Sequence, residues 1–195
     1  MGVDKLLTIA VGTILVNNVV LVRLLGLCPV AGGSRQVRST LILGLVVTCL
    51  MTVASVATFG IYSRVLLPLH LAYGKTLAFM LVIAVLLWAA EAVTARRASG
   101  FSLAFHRGLP LTTANCAVLG VALINVEKAY DLLAAAANGA AAGLGFTLVL
   151  VLVTGLRERI ELSPVPGSFK GAPVILVLTG LVALAFLGFS GLVIE

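Results

Sequence analysis

The sequence predicts an all-α integral membrane protein: six transmembrane helices as two inverted three-helix repeats, with spans 1 and 4 broken near the bilayer midplane. Three observations predict it. Of 195 residues, 61% are hydrophobic and 10% charged, where a soluble domain carries about 25% charged residues; mean hydropathy is +1.21. The apolar residues fall into six segments, each close to the ~20 residues that a helix needs to cross hydrocarbon. Finally, Asn17-Asn18-Val19-Val20-Leu21 reads against Asn115-Cys116-Ala117-Val118-Leu119, 98 residues further on. Each half then holds three spans. Three is odd, so the second half enters the membrane from the opposite side, and broken helices of such repeats meet near the midplane. The chain is a single membrane domain, residues 1–195, with repeat 1 at about 1–98 and repeat 2 at about 99–195.

Hydropathy places the spans in order. Span one runs from about Leu6 to Leu27 and is interrupted by Asn17, Asn18 and Arg23, with Gly26 and Pro29 near its end, which predicts a break or bend. No small-residue cleavage site follows it, so the segment reads as retained rather than as a signal peptide. Span two, about Ser39–Ile61, is rich in Thr and Ser able to return hydrogen bonds to the helix backbone. Span three, about Thr76–Ala95, is apolar up to Trp88 and Glu91. Span four, about Leu109–Asn125, crowds Pro110, Thr112, Thr113, Asn115 and Cys116 into its first half. Span five, about Leu132–Leu156, carries Gly139 and Gly143 as a small-xxx-small face for close helix packing. Arg157-Glu158-Arg159-Ile160-Glu161 then leaves the membrane, and span six is about Ala172–Val193.

The net charge of +6 would suggest nucleic acid in a soluble protein. Here the basic residues lie in short loops, where they set orientation, so no nucleic-acid partner is expected. The loops after spans one, three and five hold eight Lys and Arg, against four on the other face. That excess puts the first set in the cytoplasm and both termini outside, in the periplasm of a bacterial inner membrane.

Polar side chains at membrane depth are costly and mark sites that face protein or a cavity. Cys28 and Cys116 each belong to the anomalous segment of one half. They are either soft ligands for an iron–sulfur cluster, zinc or Cu(I), or small buried residues that fill helix contacts. A [2Fe-2S] cluster takes four thiolates, so a cluster would need two more from a partner subunit. Cys49 has no polar company and reads as packing. Asn17, Asn18, Asn115, Thr112 and Thr113 either orient a cofactor or cation or satisfy backbone groups freed where the helices break. Glu91, near the cytoplasmic end of span three, is either part of a cation path or an interfacial charge paired with Arg96 or Arg97. No Walker loop, dinucleotide fingerprint, nucleophile triad or HExxH motif is present, which excludes a soluble-type enzyme site.

Val16-Asn17-Asn18 with Gly26-Leu27-Cys28-Pro29, then Leu109-Pro110-Leu111-Thr112-Thr113-Ala114-Asn115-Cys116-Ala117-Val118-Leu119-Gly120, resembles the Rnf/Nqr family of membrane electron-transport subunits. So do Leu156-Arg157-Glu158-Arg159, Val165-Pro166 with Phe169 and Gly171, and Gly188-Phe189-Ser190-Gly191. The likeness covers essentially the whole chain. Thr112-Thr113-Ala114-Asn115 departs from the family's Ile-Thr-Thr-Asn or Ile-Thr-Val-Asn but leaves the Asn-Cys pair intact. The resemblance implies a six-helix subunit paired with a homologous membrane subunit of opposite topology, RnfE. The pair shares one [2Fe-2S] cluster, with Cys28 and Cys116 as this chain's two ligands and Asn17, Asn18, Thr113 and Asn115 around it. It further implies an assembly with RnfB, RnfC, RnfD and RnfG, a redox-driven translocase coupling ferredoxin and NAD chemistry to Na⁺ or H⁺ movement. Glu91 would then lie on the cation path, and no complete active site would reside in this chain alone. The competing class is a secondary transporter or cation channel subunit whose broken-helix site holds no redox centre.

Overall fold

A computed structural model describes residues 8–27, 37–66, 74–97, 115–161 and 171–191. Among the described residues all regular structure is helical: α1 (Val19–Arg23), α2 (Val37–Ile61), α3 (Lys75–Arg97), α4 (Asn115–Glu127), α5 (Leu132–Glu161) and α6 (Ala172–Leu187). The stretches Thr40–Arg64 and Leu132–Ile160 are long and apolar enough to cross a bilayer; Lys75–Ala90, Cys116–Glu127 and Pro173–Leu187 are shorter apolar helices. The predicted first half of span four, before Asn115, lies outside the described residues.

Helix ends differ from the hydropathy reading for local reasons. α5 continues to Glu161, past the predicted end at Leu156, because Arg and Glu favour helix and no breaker intervenes before Pro164. α6 gives way at Gly188 to the 3₁₀ turn Gly188–Gly191, since glycine holds a helix weakly. The predicted span one is not one helix. Residues 8–11 are α-helical, Gly12–Val16 is a π turn, and α1 is separate. The Asn17 N–H donates to the Gly12 carbonyl at 2.7 Å, five residues back.

α2 and α5 form the most extensive helix contact, and small residues make it possible. A Cβ on Gly143 would sit 2.5 Å from Thr48 Cα, and one on Gly139 would sit 2.5 Å from Ser55 Oγ. A Cβ on Gly44 would run into the Thr147 side chain. The small-xxx-small face of span five thus meets span two backbone to backbone. The Thr48 hydroxyl donates to the Gly44 carbonyl at 2.8 Å and the Thr147 hydroxyl to the Gly143 carbonyl at 2.9 Å, while the two hydroxyls lie 3.3 Å apart.

These contacts are reciprocal. Thr48 and Thr147 stand 99 residues apart, and so do Gly44 and Gly143, Thr40 and Gly139, and Ser55 and Thr154. The Thr40–Thr154 hydroxyl contact of 3.5 Å therefore has its counterpart in the Ser55–Gly139 approach. The two helices run antiparallel about the Thr48–Thr147 pair, each offering the other the same glycine–threonine surface.

The core lies around this pair. Val47, Met51 and Ala54 of α2, Phe146, Val149 and Val153 of α5, Phe79 and Ile83 of α3, and Val118 and Val121 of α4 are buried together. Outward positions such as Leu77, Leu81 and Trp88 of α3 and Leu181 and Leu184 of α6 are exposed apolar side chains. This inversion of the soluble pattern suits a surface that meets lipid or another apolar partner.

Candidate functional site

The site is organised by the break at Asn17-Asn18. Asn18 is buried and caps α1: its Oδ1 accepts from the Val20 N–H at 3.1 Å. Its Nδ2 donates to the Ile14 carbonyl and, across to α5, to the Gly145 carbonyl, both at 3.0 Å. A buried amide with both kinds of atom satisfied is the way a chain leaves a helix without orphaning backbone groups. Gly145 admits this approach; a Cβ there would lie 2.9 Å from Asn18 Nδ2. Asn18→Ala is expected to lower stability by about 2–3 kcal/mol, a lost cap plus an orphaned carbonyl. Asn18→Asp keeps the cap acceptor but turns an oxygen toward two carbonyls, so it should do no better. Denaturant titration in detergent measures both, and an Asp variant as stable as the wild type would show those donor bonds to be idle.

Beyond α1 the chain doubles back. Leu24 is left-handed at φ 53°, and Gly26 has φ +86°, with a Cβ there only 2.8 Å from Phe146 Cε2 and 3.2 Å from Ala117 Cβ. Positive φ and lack of room together require glycine. Asn18 and Gly26 thus meet adjacent residues of α5, Gly145 and Phe146. Between them, α1 makes an excursion that brings Val22 and Arg23 to Ile124 and Lys128. Leu25 and Gly26 then return onto the first turns of α4, where a Cβ on Gly120 would meet Leu25 Cδ1 at 2.5 Å.

Gly26 therefore lies against Ala117, the residue after Cys116, and stands two positions before Cys28. Cys116 is a free, exposed thiol in the first turn of α4. Cys28 and Thr113 lie outside the described residues, as do the side chains of Asn115 and Glu91. Asn17 is exposed at the break. Cys49, read as packing, is instead exposed on α2. Among the described residues, no three His, Cys, Asp or Glu side chains come together as a metal site.

Sequence reasoning missed a second polar feature. The Thr13 hydroxyl donates to Asn138 Oδ1 at 2.7 Å, and Asn138 Nδ2 donates to Asn125 Oδ1 at 2.7 Å. Both amides are buried, and Asn125 Nδ2 has no partner. The available signal was an Asn at the end of span four and another within span five, since buried amides in a membrane chain normally find each other. Asn138→Leu strands the Thr13 hydroxyl and the Asn125 oxygen, and should lower stability by about 2 kcal/mol. Adding Thr13→Val and Asn125→Leu should recover most of that loss in the same unfolding assay. No recovery would mean that Asn138 acts through something other than these bonds.

Among the described residues, a helical bundle with apolar outward faces and a polar break at Asn17-Asn18 defines a membrane-embedded helical protein. The chain belongs to the Rnf-Nqr subunit family of membrane proteins, whose model matches residues 6–193. It is 47% identical over 189 residues, 97% of this chain and 98% of the relative, to an ion-translocating oxidoreductase complex subunit of Syntrophotalea carbinolica. It is 46% identical over 187 residues, 96% of this chain and 97% of the relative, to the subunit of the same name in Edwardsiella ictaluri. An equal identity, over the same shares of both chains, relates it to a Na(+)-translocating ferredoxin:NAD(+) oxidoreductase complex subunit of Acetobacterium woodii.

Proposed function

We propose that this chain is a membrane subunit of an ion-translocating ferredoxin:NAD oxidoreductase complex, contributing Cys28 and Cys116 to a [2Fe-2S] cluster shared with a homologous membrane subunit. The observation that carries the reading is the seating of Leu25 and Gly26 on the first turns of α4, beside an exposed Cys116. Gly26 packs on Ala117, the residue after Cys116, and precedes Cys28 by two positions in sequence. The donor chemistry fits as a half-site. Two thiols cannot complete a four-thiolate set, and an exposed sulfur is free to meet ligands from another chain. When bound, such a cluster supplies a one-electron carrier inside the membrane. This chain's residues do the positioning: Asn18 holds the break beside Asn17, Gly26 permits the close return, and Thr113 and Asn115 stand just before Cys116 in sequence.

The reciprocal α2–α5 contacts at an offset of 99 residues support the reading of two inverted three-helix halves, with spans 1 and 4 broken near the midplane. The excess of basic residues in alternate loops supports periplasmic termini in a bacterial inner membrane. RnfE is the partner of opposite topology, RnfB, RnfC, RnfD and RnfG complete the assembly, and Glu91 of α3 serves the path of Na⁺ or H⁺. The relatives' names support the redox and ion-translocating role. The test is iron content and the electron paramagnetic resonance spectrum of the chain alone and with its homologous partner. A two-iron signal that needs the partner is expected; an intact pair without iron would return the chain to the class of transporters without a redox centre.

A further inference from the structure

We propose that the cavity where the end of α1 meets the end of α4 binds a phosphate-type anion, from an anionic lipid headgroup or from free phosphate. Arg23, from the excursion of the first segment, and Lys128, from the turn after α4, line this one cavity, and both are exposed. Thr13, Asn17 and Asn138 add a hydroxyl and two amides to its lining. Two cations brought together by long-range folding repel a cation and favour an anion. Among the described residues no carboxylate lines the cavity, although Glu127 and Asp131 are near Lys128 in sequence. The Thr13 hydroxyl is committed to Asn138, but Asn138 Nδ2 gives only one of its two hydrogens to Asn125.

Size and place narrow the ligand. The cavity is about 50 Å³, where a single water needs ~10–15 Å³ by the same measure, so it has room for the oxygens of a phosphate group. Arginine and lysine are the usual partners of such oxygens, one by its planar fork and the other as a point charge. The turn after span four reads as the outer face of the membrane, and Lys128 Nζ lies 5.9 Å over the ring of Tyr130, an aromatic suited to the headgroup level. Val22 and Ile124 form apolar walls, and Val22 is exposed beside Arg23, which gives a lipid's acyl chain a place to start. Basic pockets between membrane helices hold headgroups in this manner. The cavity lies toward the opposite end of α4 from Cys116, roughly 12–18 Å along the helix, and the inference does not depend on the cluster.

The test uses the full-length chain in detergent. Retention of phosphatidylglycerol, with phosphatidylcholine for comparison, is read by native mass spectrometry, and inorganic phosphate is titrated against thermal unfolding without lipid. Arg23→Gln and Lys128→Gln should each weaken binding about tenfold, the value of one charge-assisted contact. The double variant should lose binding, while the charge-preserving pair Arg23→Lys with Lys128→Arg should keep most of it and so separate lost binding from lost folding. Weakened phosphatidylglycerol binding alone identifies the lipid as the source, and a weakened phosphate effect alone identifies the free anion. Equal affinity of the wild type and the double variant for both probes overturns the proposal. So does a wild type that prefers neither probe to phosphatidylcholine or chloride.

Discussion

Gly143→Ala is expected to lower stability by about 1–3 kcal/mol or more, the range for forcing a methyl into a filled contact, whereas Gly155→Ala should be neutral or slightly stabilising. In both cases alanine is the better helix former by up to about 1 kcal/mol, so only the surroundings separate them. A Cβ at Gly143 would stand 2.5 Å from Thr48 Cα, while at Gly155 nothing lies within 4 Å. Backbone cannot rotate away, so α2 and α5 must separate, and dispersion contacts along the whole pair weaken with them. Gly44→Ala supplies the internal check. The atoms that oppose it are Thr147 Cγ2, Oγ1 and, at 2.9 Å, Cβ, so Thr147→Ala should relieve part of the strain. Thr48→Ala should not relieve Gly143→Ala, because the opposing Thr48 Cα remains. Unfolding of the purified chain in mixed detergent reads all of these, and a rescue by Thr48→Ala would refute the backbone-contact account.

On the proposed function, Cys116→Ser should abolish ferredoxin-linked NAD reduction by the assembled complex and, with it, coupled ion uptake into vesicles, while leaving the protein folded. The thiol is exposed, and exposed substitutions usually change stability by no more than about 0.5 kcal/mol, so lost activity cannot be put down to lost structure. On the proposed shared cluster, Cys28→Ser should match it and the double variant should be no worse than either, because ligands of one centre act as a unit. Cys49→Ser is the control: that sulfur is also exposed but lies on α2, and its loss should be silent. A Cys116→Ser complex that still turned over would remove the residue from the electron path.

The break at Asn17-Asn18 was legible because polar residues in apolar segments are rare enough to mark it. Asn17 and Asn18 announced the interruption of span one, and the hydrogen bonds of Asn18 show how the freed backbone groups are satisfied there. The role of Gly26 was less legible. Its presence suggested a bend, but its need to be glycine comes from Phe146 and Ala117, more than ninety residues away in sequence. The link among Thr13, Asn125 and Asn138 was hidden for the same reason: each is an unremarkable polar residue until the fold sets Thr13 and Asn125 each 2.7 Å from Asn138.

The sequence by itself determined the membrane class, the apolar segments, the small face at Gly139 and Gly143, and the position of the polar pair Asn17-Asn18. Hydropathy, helix-breaking and side-chain size act over one or two turns and can be read along the chain. Only the tertiary structure decided that Gly143 faces Thr48, that Asn18 is tied to Gly145, and that Arg23 arrives beside Lys128. Those pairings depend on how two helices cross and where a short helix turns back, and neither is set by the local pattern that each partner carries.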